Sequence, residues 1–506
     1  MKIAALNFLI LFAGISLFPS CTKEEKEEKL PNIVYILADD LGIGDVSIYN
    51  DHSRWNTPAL DQLASEGMFF TDAHSGSAVC TPTRYGILTG RYSWRGVIKK
   101  GVTWSYDSAI IEPGRETVSA MLQKKGYRTA CIGKWHLGLN WVKDSTAGWP
   151  VDFSQPVQKS PNDFGFDYSF CIPASLDIPP YVYVENGRVT AQPNRETEST
   201  TQYGWWRKGP TGEDFFHEKV LETFGEKAVQ FIGENKDQPF FLYLPLSAPH
   251  TPILPVDSFG GKSGLNEYGD FVVMVDEITR RVTQALEENG LTNNTLVIFT
   301  SDNGCAPYAG TAEMEKAGHY SSFIYRGYKA DIYEGGHRIP FIARWPGHIP
   351  AGTSSNQTTC LTDLMATCAD ILHIPLAENQ AEDSYSMLPA LKGNSGETPI
   401  REATVHHSVH GNFAIRKGNW KLILAPGSGG WSEPKPGEEP EDALPFQLYN
   451  LETDPRESEN LLNQEPQKAE ELRQLLISYI QNGRSTPGPA QPYEQAENWP
   501  GLEWMK

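Results

Sequence analysis

Four stretches of this chain are apolar with almost no alternation: NIVYILA (32–38), RTACIG (128–133), PFFLYLPL (239–246) and TLVIFT (295–300). A strand with one wet face alternates apolar and polar residues, so unbroken runs of this length call for cover on both faces. Helical spacing lies between them. From Tyr268 to Asn289, Val275, Ile278, Val282 and Leu286 recur every three or four residues until Asn289-Gly290 ends the pattern, and a shorter run from Glu116 to Lys125 stops at Gly126. Buried strands alternating with amphipathic helices predict an α/β fold, a large and mostly parallel central sheet sandwiched by helices. In such a sheet, ligands gather beyond the carboxyl ends of the strands.

The pattern changes after about Pro375. ATVHHSV, FAIRKG, WKLILA and FQLYNL are short, strand-like and separated by turns. A Gly/Pro/Glu-rich loop (426–445) interrupts them and a helix over roughly 466–481 follows, predicting a smaller α+β subdomain of antiparallel sheet plus helix. The expected division is therefore a catalytic domain over 31–375 and the subdomain over 376–506. A chain of 506 residues is long enough for both. Residues 1–20 carry one Lys and an apolar run from Ile3 to Phe18, the pattern of a secretory signal. Ser20 before Cys21 suggests lipoprotein cleavage and acylation of Cys21, with plain secretion as the simpler alternative. The charged run TKEEKEEK makes residues 21–30 a solvated tether. Its start resembles the surface-export signal of Bacteroidetes lipoproteins, so the protein is expected as an exported lipoprotein, at the outer membrane, cell surface or periplasmic face of a Gram-negative bacterium.

Lys plus Arg number 43 against 63 Asp plus Glu, a net charge of −20 that repels nucleic acid. An anionic substrate would need a local basic pocket set against that field. The seven cysteines form no regular framework and no CxxC, so neither a disulfide scaffold nor a thiolate zinc site is indicated.

Polar residues follow each buried strand at once: Asp39 and Asp40, then Lys134 and His136, then His250, then Asp302 and Asn303. Each alone has a bland explanation as a cap, a turn or a satisfied histidine. Together they fall on the one edge where an α/β sheet keeps its site. Three carboxylates and an amide are hard oxygen donors, suited to Ca²⁺, or to Mg²⁺ with more water. Arg84, Lys134 and Lys329 would add fixed cations, a combination that suits a tetrahedral oxyanion ester. Pro82 fits a first helical turn, which sets Cys80 near a helix N-terminus with Arg84 four residues on, facing the same side. An unmodified thiol there would ionise easily, so a plain cysteine nucleophile is one reading.

Cys80-Thr81-Pro82-Thr83-Arg84, followed by YGILTG, resembles the signature of the type I sulfatases of the alkaline-phosphatase superfamily. The resemblance extends in family order through NIVYILADDLGIGD, GKWHLG (133–138), Ala-Pro-His (248–250), FTSDNG (299–304) and YKADIYEGGHRIPFIARWPG (328–347), and the C-terminal WKLI and LYNLETDPRESENL are also similar. Within that family the chain resembles Bacteroidetes lipoprotein carbohydrate sulfatases and N-acetylgalactosamine-sulfatase-like arylsulfatases. The resemblance implies that a maturation enzyme converts Cys80 to formylglycine. It further implies that Asp39, Asp40, Asp302 and Asn303 hold calcium with modified Cys80, that Arg84 and Lys134 hold the hydrate and sulfate, and that His136 is the base that collapses the hydrate. His250 and Lys329 would lie on the ester-oxygen side, with His250 protonating the leaving alcohol. Ser175, in IPASLD, is similar to a family serine near the nucleophile.

The expected reaction is hydrolysis of sulfate esters on a carbohydrate, by exo attack, with galactose or N-acetylgalactosamine sulfated at O6 or O4 as substrate. Asp177, His337, Arg338 and His410 are the expected sugar contacts. Two rivals fit the same residues: a phosphodiesterase or phosphonate hydrolase with the same nucleophile, and a surface glycan-binding lipoprotein with a dead site.

Overall fold

The computed structural model describes residues 29–144, 148–394, 398–493 and 500–505. Cys21, the signal and most of the charged tether lie outside them. The four apolar runs are the strands Asn32–Asp39, Arg128–Lys134, Phe240–Pro249 and Thr295–Ser301, at the centre of a ten-stranded mixed sheet. Thr295–Ser301, Asn32–Asp39, Phe240–Pro249, Arg128–Lys134 and Tyr168–Ile172 lie side by side and parallel. Antiparallel strands flank this block, Phe341–Arg344 on one side and Val184–Glu185 on the other.

Both faces are dry, as the lack of alternation requires. Val34, Ile36 and Ala38 face a core shared with the helices Val220–Glu234 and Glu267–Glu288. Ile33, Tyr35 and Leu37 face a second core, shared with Cys80–Thr89, Val118–Lys124 and Leu364–Ile371. The long helix Glu267–Glu288 starts where Asn266 Oδ1 accepts the Gly269 N–H, a side-chain cap that satisfies a free donor.

The C-terminal part is a four-stranded antiparallel sheet, Thr404–His407, Phe413–Lys417, Trp420–Ile423 and Gln447–Asn450, with the helix Pro466–Gln481 packed on it. This is the α/β plus small α+β architecture expected. The six described cysteines are free and buried. No helix among the described residues is long and apolar enough to cross a membrane.

Candidate active site

The parallel register brings the polar strand ends to one edge: Ala38 pairs with Ser301, and Asp39 with Pro249. Beyond that edge the chain takes conformations that L-residues seldom adopt, with φ of 64° at Asp40, 54° at His136 and 79° at Ala330. Three such residues, each within or beside the polar cluster, mark backbone strain held by the surrounding fold. Gly133, at φ 137°, is confined to glycine, since a Cβ there would lie 1.8 Å from the Pro245 carbonyl oxygen.

Cys80 opens the buried helix Cys80–Thr89 and Pro82 stands in its first turn, as the spacing predicts. Arg84 is fully buried and donates through Nε and Nη2 to Asp302 Oδ2, at 3.0 and 2.7 Å, and through Nη1 to the Lys134 carbonyl at 2.8 Å. Lys134 Nζ reaches both oxygens of Asp39, at 2.8 and 2.7 Å. Lys329 Nζ lies 2.7 Å from Asp40, and His250 Nε2 faces the same carboxylate at 3.6 Å. Cys80 Sγ sits 3.3 Å from His136 Nδ1. The helix, four strand ends and the segment before Tyr333 thus assemble Asp39, Asp40, Cys80, Arg84, Lys134, His136, His250, Asp302, Asn303 and Lys329 in one buried cluster.

Its electrostatics assign the protons. His136 Nε2–H donates to the Thr103 carbonyl at 2.9 Å, leaving the Nδ1 lone pair toward Cys80. Burial, then the Lys134 and Arg84 cations, holds His136 well below its ordinary range, so it stays neutral and able to accept a proton. Burial also lowers His250, whose Nδ1–H donates to the Thr251 carbonyl, while Asp40 pulls the other way. For Asp39, burial opposes ionisation, but Lys134, His250, Arg84 and Lys329 outweigh it and keep the carboxylate charged. Asp302, pressed by burial and by Asp39, is pushed up to about 7. The thiol departs from expectation. Burial pushes Cys80 up despite Lys134 and Lys329, so an unmodified cysteine here is a poor thiolate nucleophile.

The donor set fits a hard divalent cation. Asn303 Nδ2 donates to Asp40 Oδ1 at 2.8 Å, which leaves Asn303 Oδ1 buried among three carboxylates with no hydrogen-bond partner. An orphaned oxygen acceptor beside Asp39, Asp40 and Asp302 is what an oxygen-ligated ion would satisfy. Asp39, Asp40 and His250 also converge closely enough to share an ion.

The profile of the family described as Sulfatase matches residues 31–374. The chain belongs to the sulfatase family. It is 36% identical to an N-acetylgalactosamine-6-O-sulfatase of Bacteroides thetaiotaomicron over 93% of this chain and 98% of the relative. Human arylsulfatase A is 32% identical, with 91% of this chain and 90% of that protein aligned. A solved structure described as 6S-sulf, from the metabolism of multiple glycosaminoglycans by Bacteroides thetaiotaomicron, superposes with a TM-score of 0.76 at 34% identity, covering 89% of this chain and 99% of that one. The sulfatase is therefore a sulfuric ester hydrolase of the alkaline-phosphatase superfamily.

The expected sugar contacts divide. Ser175 is buried in the turn after Tyr168–Ile172, a strand whose continuation accepts the backbone N–H of His136 through the Pro173 carbonyl. Asp177 is buried next to it and is ion-paired with Arg207, a residue that carries no signal in the sequence. Its Oδ1 has no hydrogen-bond partner. His410 is exposed on the turn 408–411, whose Val409 bonds to Ala330 and Gly101 through the backbone.

His337 and Arg338 correct the expectation, for both are buried away from the cluster, against the C-terminal sheet. Arg338 is spent on Glu334, Asp72 and the Thr71 carbonyl. His337 stacks on His406 with ring centres 3.8 Å apart and planes 8° apart, touches His74 at 3.1 Å and meets Lys421 at 3.0 Å. The three histidines are close enough to suggest a metal centre. Their geometry forbids it, because two parallel stacked rings cannot both aim in-plane lone pairs at one ion. Thr103, which orients His136, is likewise invisible in the sequence: it lies 33 residues upstream in a loop with no local signal.

Proposed function

We propose that this sulfatase removes sulfate from the non-reducing end of a glycan, with N-acetylgalactosamine 6-sulfate as first choice and galactose 6-sulfate or the 4-sulfates behind it. Support comes from the relative named N-acetylgalactosamine-6-O-sulfatase, which aligns along almost its whole length. A human N-acetylgalactosamine-6-sulfatase, 29% identical over 94% of this chain, points the same way. The pair of buried Asp177 and half-exposed Arg207, with its orphaned carboxylate oxygen, offers a donor and an acceptor for sugar hydroxyls.

The observation that carries the mechanism is Cys80 Sγ lying 3.3 Å from a histidine nitrogen fixed as an acceptor. Cys80 is taken to be oxidised to formylglycine by a maturation enzyme, and its hydrate supplies one hydroxyl for attack on sulfur and another for release. His136 Nδ1 accepts the proton of the second hydroxyl as carbon–oxygen cleavage expels sulfate. Lys134 and Lys329 face the sulfate oxygens and stabilise charge there. His250, neutral by itself, gains its proton when the sulfate anion enters beside it, and gives it to the sugar oxygen. Asp39, Asp40, Asp302 and Asn303 would hold calcium, or magnesium in its place, with the Cys80-derived group, and the ion would relieve charge on the nucleophile.

Turnover of a panel of 4-O- and 6-O-sulfated N-acetylgalactosamine and galactose tests the substrate. Release of sulfate from none of them overturns the carbohydrate reading. For the N-terminus we propose removal of 1–20, lipidation of Cys21, a tether over 21–30 and export to the outer membrane, with 31–375 and 376–506 as the folded parts. Loss of membrane fractionation in Cys21→Ala tests the anchor.

A further inference from the structure

Five side chains from four separate segments form an unbroken arc of contacts beside the catalytic cluster. The Arg207 guanidinium lies 5.1 Å from the ring centre of Trp104 and 5.1 Å from that of Trp205. Trp205 meets Tyr308 at 6.4 Å, and Tyr308 meets Trp431 at 5.7 Å. None of these rings belongs to a hydrophobic core. Trp104 is 49% exposed and Tyr308 38%, while Trp205 and Trp431 are half-buried.

Both ends of the arc are tied to the chemistry. Trp104 follows Thr103, whose carbonyl accepts from His136 and whose hydroxyl donates to the His136 carbonyl at 3.0 Å. At the other end, Asp331 Oδ1 accepts the backbone N–H groups of Trp431 and Ser432, at 2.8 and 3.0 Å, two residues beyond Lys329. This contact brings a loop of the C-terminal part to the catalytic cation. In the middle, Arg207 grips Asp177.

Exposed aromatic surface in a continuous run marks a binding site more often than chance. Flat rings with a polar rim suit a sugar, whose C–H face covers an aromatic ring while its hydroxyls meet phenol and guanidinium groups. Arg207, paired with Asp177 through one nitrogen and half-exposed, has further N–H groups that can donate to sugar hydroxyls. The sulfated sugar itself must enter the buried cluster, so rings on the rim are free to meet the next sugars of the glycan.

We propose that the arc Trp104–Arg207–Trp205–Tyr308–Trp431 is a subsite for the sugar rings on the reducing-end side of the sulfated residue, making an oligosaccharide rather than a monosaccharide the preferred substrate. The proposal rests on the carbohydrate-sulfatase reading and deepens it. Trp431 is the informative residue, because the C-terminal part presents it and its side chain touches no catalytic group described above.

The test compares kcat/KM for N-acetylgalactosamine 6-sulfate with that for a tetrasaccharide bearing it at the non-reducing end. The wild-type enzyme should prefer the tetrasaccharide. Trp431→Ala and Trp104→Ala should each cut that preference roughly tenfold, mainly through KM, as expected for loss of one aromatic anchor. Trp431→Phe should restore most of it. A preference that is absent in the wild type, or unchanged in both alanine variants, overturns the subsite while leaving the sulfatase reading intact. Hydrolysis of nitrophenyl sulfate with neither sugar cleaved would overturn the carbohydrate reading and the subsite with it. Tetrasaccharide binding to Cys80→Ala, with and without Trp431→Ala, gives a readout independent of turnover: equal Kd values would also sink the proposal.

Discussion

Two buried clusters in this molecule carry the same charges and do different things. Around Cys80, three carboxylates (Asp39, Asp40, Asp302) meet three cations (Arg84, Lys134, Lys329) and two histidines. Against the C-terminal sheet, three carboxylates (Asp72, Glu334, Glu457) meet three cations (Arg338, Arg416, Lys421) and three histidines. The first lies at the carboxyl edge of parallel strands, leaves an oxygen acceptor orphaned among its carboxylates and turns a histidine lone pair toward Cys80. The second fills its space with stacked imidazole rings and joins two parts of the chain. Charge inventory does not make a site. Position at the strand ends, beside Cys80 and its histidine, does.

The comparison breaks most sharply at Cys80. Cys80→Ser, made in a host that cannot oxidise serine, should fold and bind sulfated sugar yet turn over at most once, stalling as a serine sulfate ester. Mass spectrometry of the peptide 75–91 should show that ester, and in the wild type an aldehyde or hydrate in place of the thiol. Full activity with an intact thiol would undo the mechanism.

His250→Ala should cost about 10²–10⁴-fold on a sugar sulfate, the usual worth of general acid catalysis. The loss on nitrophenyl sulfate should be much smaller, since a phenolate leaves without help. Equal losses on both substrates would remove His250 from the acid role.

At the second cluster the same kind of change should spare chemistry and damage stability. Lys421 is fully buried between Glu334, at 3.1 Å, and Glu457, at 2.8 Å, so Lys421→Met leaves both carboxylates without it. Breaking a buried ion pair in this way costs about 3–5 kcal/mol. A lowered Tm with kcat on sulfated sugar intact in the folded fraction is expected. A lost kcat at unchanged Tm would make this cluster part of the active site.

The smallest effect is pH-dependent. Burial depresses His74 and His407 to about 4 in the folded chain, against 6.5 for a free imidazole. Each is neutral when folded and protonated when unfolded between those values. Their contribution is therefore full above pH 6.5 and is lost as pH falls toward 4, by about 1.4 kcal/mol per unit per group. Glu457, pushed up from 4.5 to about 7 by burial, has the opposite sign: its contribution is full below 4.5 and is lost as pH rises to 7, so over the shared range it offsets one histidine and the net acid limb reports the other. His74→Gln should flatten the acid side of a Tm–pH curve, and a curve identical to wild type would show that His74 does not titrate.

The four central strands and the helix Pro466–Gln481 were legible because burial on both faces and helical periodicity write themselves into neighbouring residues. Tyr168–Ile172 escaped notice, since its sequence YSFCI mixes polar and apolar residues and its place in the sheet comes from pairing with Arg128–Lys134. The hairpin Pro193–Ser199 with Trp206–Gly212 is largely polar and carries no core signal. Most residues of the buried cluster were legible as strand-end motifs, and Cys80 and Arg84 as the start of a helix. His337 and Arg338 looked equally functional in GGHRIP, and only their burial against His406, Lys421 and Asp72 removed them from the site.

The sequence by itself determined the α/β frame, the strand edge at which polar side chains gather, the carboxylates and amide placed there and the helix that presents Cys80. Each of these depends on residues adjacent in the chain or on the repeat of a strand or helix. The tertiary structure decided the rest: that burial suppresses the Cys80 thiolate, that Thr103 fixes the His136 tautomer, that Arg207 meets Asp177, and that a loop near residue 431 closes beside Lys329. Those facts join residues far apart in the chain, and their energies come from desolvation and Coulomb terms that exist only once the chain has folded.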